Sequence, residues 1–178
     1  GHIPYAIDRQ NDRAYKDVPN LVDMFSAALN HLNGMKEGFV LQVEAGRVDH
    51  AGHGNDAGGI LHEFLEFDAC IPIALEFIES HPDTMLVVTT DHGTGGCQLD
   101  GAGSAYLDSG PALDRINQLR HSFEWLQQGF EATGKFDPVL LKTALGIDST
   151  DTQAAIVQAA LDEKVEYLSG ALNQAFGK

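Results

Sequence analysis

The chain has 178 residues, enough for one ordinary domain with a buried core. Hydrophobic residues make up 43% and charged residues 21%, a globular composition rather than a disordered one. Only 11 Lys and Arg stand against 26 Asp and Glu, a formal charge of −15, which argues against nucleic acid and anionic membrane surfaces as partners, since both demand cationic side chains. No apolar run approaches the roughly 20 residues of a membrane span, and the opening GHIPYAIDRQ does not read as a signal peptide. The acid is concentrated in residues 1–110, where acidic side chains outnumber basic ones more than threefold. Such a surplus is commonly a solvated surface; it also suits carboxylates that await cations.

Residues 1–20 read as polar and irregular, with Pro4 and Pro19 as breakers. Leu21, Met24, Phe25, Ala28, Leu29 and Leu32 follow helical spacing, with Asn20 placed to cap the helix and Asn33-Gly34 to end it. Residues 38–43 (GFVLQV) predict a buried strand ending near Glu44, followed by a Gly-rich polar loop over 45–59. From about Gly59 to Ser80 the stripe Ile60, Phe64, Phe67, Ile71, Leu75 and Ile78 predicts a long helix, with a kink at Pro72. Residues 84–90 (TMLVVTT) predict a second buried strand, running directly into Asp91-His92-Gly93.

Strand, loop, helix and strand make a βαβ unit, so the expected fold class is α/β: part of a mostly parallel sheet with helices on both faces. Beyond the Gly-rich stretch at 93–110 the spacing predicts helices over 111–130, 137–145, 151–160 and 163–176. The expected organisation is therefore a partial α/β core over 1–110 and a helical lobe over 111–178 belonging to the same domain.

In a parallel sheet, ligands gather outside the carboxyl ends of the strands. Glu44, Asp49 and His53 follow the first predicted strand, and Asp91 with His92 follow the second, so all five are expected at one sheet edge. Carboxylate oxygen with imidazole nitrogen is a zinc donor set, and carboxylate alone suits magnesium. Gly52, Gly54, Gly93, Gly95 and Gly96 would let the backbone turn closely beside the ions. Taken alone, an Asp four residues before a His is more often a surface pair, and Asp-His-Gly after a strand is often a turn. Both together at one edge shift the balance towards metal. His31 falls at a helix end, where a positive charge suits the dipole; His62 and His81 read as solvated, His121 as a packing or surface residue of an amphipathic helix, and Cys70 as a small buried hydrophobe. Arg47, between ligand positions, could pair locally with a carboxylate. A disulfide between Cys70 and Cys97 is left open by their spacing.

The run from Val43 to His53 (VEAGRVDHAGH), followed after one helix by Val87-Val88-Thr89-Thr90-Asp91-His92-Gly93, resembles the alkaline phosphatase family. His2-Ile3-Pro4-Tyr5 and the stretch 121–125 (HSFEW) are similar to bacterial members. By that resemblance Asp49 and His53 match ligands of a first zinc, Asp91 and His92 ligands of a second, and Glu44 a ligand of magnesium. His50 occupies a position near the phosphate. The implied cofactors are two zinc ions and one magnesium, the substrate a small phosphate monoester, and the location periplasmic or secreted; a homodimer is left open.

The family's nucleophilic serine, its bridging Asp, its phosphate-binding Arg and a third zinc-binding His have no match in this chain. Ser104 and Ser109 follow the second predicted strand, whereas the family's nucleophile precedes both. The chain is therefore expected to be a C-terminal-half fragment, inactive by itself, of an enzyme working through a phosphoserine. The alternatives are a superfamily phosphodiesterase or phosphomutase, and a non-catalytic metal-binding or packing chain.

Overall fold

The computed structural model describes residues 2–94 and 110–176. Gly95, Gly96, Cys97, Ser104 and Ser109, each of which the sequence had singled out, lie outside the described residues.

Local capping chemistry starts most of the helices. After a short α1 (Ala6–Asn11), Asn20 and Asp23 form a capping box at the head of α2 (Leu21–Leu32): each side chain accepts from the other's backbone N–H, at 2.8 and 3.2 Å. Thr150 and Gln153 do the same for α8 (Asp151–Asp162). Asp137 caps α7 (Pro138–Leu145), whose first residue is a proline that needs no N–H partner there. Gly134 and Gly146, at φ 67° and 70°, supply the left-handed residue that ends α6 (Phe123–Thr133) and α7. The remaining helices are α3 (Gly46–His53), α4 (Ala57–Ser80, with Pro72 inside it), α5 (Gly110–Ile116) and α9 (Ser169–Phe176).

Two expected helices are shorter than their periodicity suggests. The 111–130 stretch divides into α5 and α6, because Ser122 adopts an extended conformation and turns its Oγ to accept from Trp125 N at 3.0 Å. The 163–176 stretch begins only at Ser169, after Lys164 has taken φ 53°. Residues 46–53, expected as loop, form a helix, as does α1.

The expected parallel sheet is not formed: among the described residues there is no strand, and the βαβ unit reduces to α3 and α4 between two extended segments. Among the described residues, neither 39–44 nor 85–90 makes a backbone–backbone hydrogen bond, and the two do not pair with each other. A strand, unlike a helix, fills its N–H and C=O valences only from a neighbour at about 4.8 Å, so apolar sequence alone cannot make one. In the first segment Phe39, Leu41 and Val43 pack on the α2–α4 core while Val40 is 95% exposed. In the second, Met85 and Val87 are 84% and 67% exposed. The two runs read as buried strands are thus a half-covered and an uncovered segment.

Three apolar clusters hold the described residues together. Leu126, Phe130, Leu141, Ala144, Val157, Leu168 and Leu172 unite the α6–α9 region. Phe25, Leu29, Cys70 and Ala74 join α2 to α4. Tyr5 and Ile7 pack on Ala51, seating α1 against α3. A polar seam ties the regions together. Buried Asp56 accepts from Gly59 N with one oxygen, capping α4, and from Phe123 N with the other at 2.7 Å. Asp8, on α1, accepts from Ser122 N and Ser122 Oγ at 2.9 and 2.6 Å, with His121 Nδ1 at 3.2 Å. His121 is therefore buried and stacked on Trp125 at 3.8 Å, not part of an amphipathic helix. His62 and His81 are half-buried rather than solvated; His62 lies against Gln10 and His81 stacks on Phe77.

Candidate functional site

The site begins with α3. Because 46–53 is helical, Asp49 and His53 lie four residues apart on one face, and Asp49 Oδ1 stands 3.6 Å from His53 Nε2. The segment following 84–90 brings His92 Nδ1 to 3.7 Å from the same oxygen. His92 Nε2 is 3.2 Å from Asp91 Oδ2, and Asp91 Oδ1 accepts from His92 N. Thr94, which sequence reasoning did not single out, places its hydroxyl 2.5 Å from His92 Nδ1. The close approach of these segments depends on Gly52: a Cβ there would stand 2.6 Å from Thr94 O.

Asp49 Oδ1 is buried and, among the described residues, accepts no hydrogen bond. A hydrogen bond from Thr94 and the nearby imidazoles of His53 and His92 hold this carboxyl below the usual aspartate range, so it is anionic at neutral pH. An unsatisfied, buried carboxylate oxygen between two imidazole nitrogens has the chemistry of a cation ligand. Two donors of one tetrahedral zinc, each about 2.0–2.1 Å from the metal, lie about 3.3 Å apart, and 3.6 Å approaches that. Among the described residues, however, no group of three or more His, Cys, Asp and Glu closes tightly enough to hold an ion. The ligand candidates stand as converging pairs.

Glu44 is placed differently. Its Oε1 folds over the start of α3, 3.2 Å from where a Cβ on Gly46 would stand; the side chain is exposed and, among the described residues, makes no hydrogen bond or ion pair with the other candidates. His50 makes a different set of contacts, with Arg47 and His2. Its ring meets His2 edge-on at 4.3 Å and borders a cleft of about 220 Å³ lined also by Tyr5, Asp56, Glu124 and Tyr167. Burial, reinforced by the Arg47 guanidinium, pushes its pKa below the usual histidine value, so the neutral ring prevails at pH 7.

Arg47 proves to be a central side chain. It is 93% buried, its guanidinium sits 3.6 Å above the Tyr5 ring, and it donates to Glu124 Oε2 at 2.9 Å and to His50 Nδ1 at 3.2 Å. The local carboxylate pairing expected from sequence is replaced by one with a residue 77 positions away. The i, i+3 spacing of Arg47 and His50 could have signalled their contact had the loop been read as helix; nothing in the sequence signals Glu124.

Comparison with known proteins gives the family. A family model for alkaline phosphatase matches residues 1–165. Alkaline phosphatase 3 of Bacillus subtilis is 29% identical over the whole chain, which spans 37% of that relative. The repressible alkaline phosphatase of Saccharomyces cerevisiae is 44% identical over 53% of the chain, covering 17% of its own length. The crystal structure of Thermus thermophilus alkaline phosphatase superposes on 98% of the chain with a TM-score of 0.87 and 36% identity, over 39% of that molecule. The chain thus spans about two fifths or less of the length of these relatives, and over that span it belongs to the alkaline phosphatase family.

Proposed function

We propose that this chain carries metal ligands of a phosphate-monoester hydrolase centre of the alkaline phosphatase type, the hydrolysis itself belonging to a longer protein. Asp49 and His53 serve a first zinc, Asp91 and His92 a second, and Glu44 a magnesium ion, while His50 lies beside the phosphate. The observation that carries this reading is the orphaned Asp49 Oδ1, buried between the imidazoles of His53 and His92. Paired metal ions, when bound, supply charge that activates a nucleophile and stabilises a leaving oxygen. The chain's own share is orientation: α3 holds Asp49 and His53 on one face, Thr94 seats His92, and Gly52 allows the two segments to meet. The nucleophilic serine is not matched here, so the chain alone leaves an activated phosphate monoester at the metal-ion background rate. A location outside the cytoplasm follows the family; no helix among the described residues is long and apolar enough to cross a membrane.

Calorimetric titration of the metal-free chain with zinc tests the assignment. Binding is expected in the wild type and reduced at least tenfold in Asp49→Asn and in His53→Ala, each removing one donor of a pair. Zinc binding that is undiminished in Asp49→Asn would remove the central ligand from the proposal.

A further inference from the structure

Arg47 has two polar commitments and one deficit. Two guanidinium nitrogens donate to Glu124 Oε2 and His50 Nδ1, while Nε is buried without a partner among the described residues. A guanidinium has only donors and stays protonated, so at 3.2 Å the His50 Nδ1 must be the acceptor. In a neutral imidazole that leaves the single ring proton on Nε2. Free histidine exchanges between its two tautomers; here one is selected by a neighbour that can never accept. The selecting group is itself held: Tyr5, 4% exposed, lies under the guanidinium, and Glu124 anchors it from the first turn of α6. A buried N–H without an acceptor carries a desolvation cost, which the other two contacts of the guanidinium and the Tyr5 ring offset.

We propose that Arg47 is a positioning residue for His50, tying its imidazole through Glu124 to α6 and holding it as the tautomer that carries its proton on Nε2. The nitrogen left for a ligand is then a hydrogen-bond donor, the form suited to a phosphate oxygen, which only accepts. Its use on a phosphate rests on the preceding assignment of His50; the selection of the tautomer does not. The helices beyond residue 110 thereby act on the site through one side chain, although they contribute none of the proposed ligands.

The test is long-range ¹H–¹⁵N correlation spectroscopy on the metal-free chain labelled with ¹⁵N-histidine, at about pH 9, where ordinary imidazoles are neutral. His50 is expected to show a single tautomer, Nδ1 bare and Nε2 protonated, while exposed His31 shows the averaged shifts of a free ring and serves as reference. In Arg47→Met the His50 pattern is expected to move at least halfway to that reference. Arg47→Lys, a cation without the fork, should restore only part of the selection. Glu124→Gln, which keeps Arg47 but weakens its anchor, should shift His50 the same way by less, and is the deciding variant if circular dichroism shows Arg47→Met unfolded. A proton on Nδ1 in the wild type, or an unchanged pattern in folded Arg47→Met, overturns the proposal. So does an unchanged pattern in Glu124→Gln when Arg47→Met is unfolded. Because no metal is present, these outcomes are independent of the zinc titration.

Discussion

Replacing Asp8 by alanine is expected to destabilise the chain by about 3 kcal/mol. Asp8 is 3% exposed and receives Ser122 N, Ser122 Oγ and the His121 ring. When the carboxylate is deleted, the serine hydroxyl can rotate and the imidazole can change tautomer, but the Ser122 N–H points at a fixed place and loses its acceptor. Leaving one such buried donor unpaired costs roughly 1–3 kcal/mol, and losing a charge-assisted hydroxyl contact adds a further 1–2. Asp8→Asn is the control. It keeps a carbonyl oxygen for the Ser122 N–H and offers an amide to the hydroxyl, so about 1 kcal/mol is expected. Trp125, the only tryptophan, stacks on His121 beside the network, so equilibrium urea unfolding followed by its fluorescence reads the site and the fold together. A loss below about 1 kcal/mol for Asp8→Ala, or equal losses for both variants, would show that the seam between α1 and α6 is not held by this carboxylate.

Two further perturbations test the packing around α3. Gly52→Ala places a methyl 2.6 Å from Thr94 O, so the roughly 1 kcal/mol that alanine normally adds to a helix is reversed and zinc affinity should fall as the 91–94 segment is displaced; calorimetry on the variant checks both. Burial pushes the Asp56 carboxyl up to about 6 despite its bonds from Gly59 and Phe123, so the folded state holds that proton more tightly than the unfolded chain. Its contribution to stability is complete below about pH 4 and is lost as pH rises through 6, a change of about 3 kcal/mol. The difference between wild type and Asp56→Asn in urea midpoints across that window should follow this sign, and a difference that grows the other way would refute it.

What was legible in the sequence is what short-range chemistry decides. α2 begins and ends where its periodicity and Asn20 place it, because a capping box needs only residues three apart. α8 begins at its predicted position for the same reason. The family was legible too, since the spacing of Glu44, Asp49, His53, Asp91 and His92 is a linear pattern, and the family comparison agrees with it. Cys70 is buried, as a small hydrophobe beside Phe67 and Ile71 should be.

Tertiary structure decided the rest, wherever an element depends on a distant partner. Residues 38–43 and 84–90 have the composition of buried strands, yet composition cannot supply the neighbouring backbone that completes a ladder, and without one they remain extended and largely exposed. Residues 46–53 carry two glycines and looked like a loop, but the packing of Ala51 on Tyr5 and Ile7 and the close contact at Gly52 favour a helix. Asp8 and His121, 113 residues apart, became a buried pair, and Arg47 found Glu124 rather than a local acid. No periodicity encodes such contacts, because burying a charge is tolerable only once the fold has brought every partner to it at the same time.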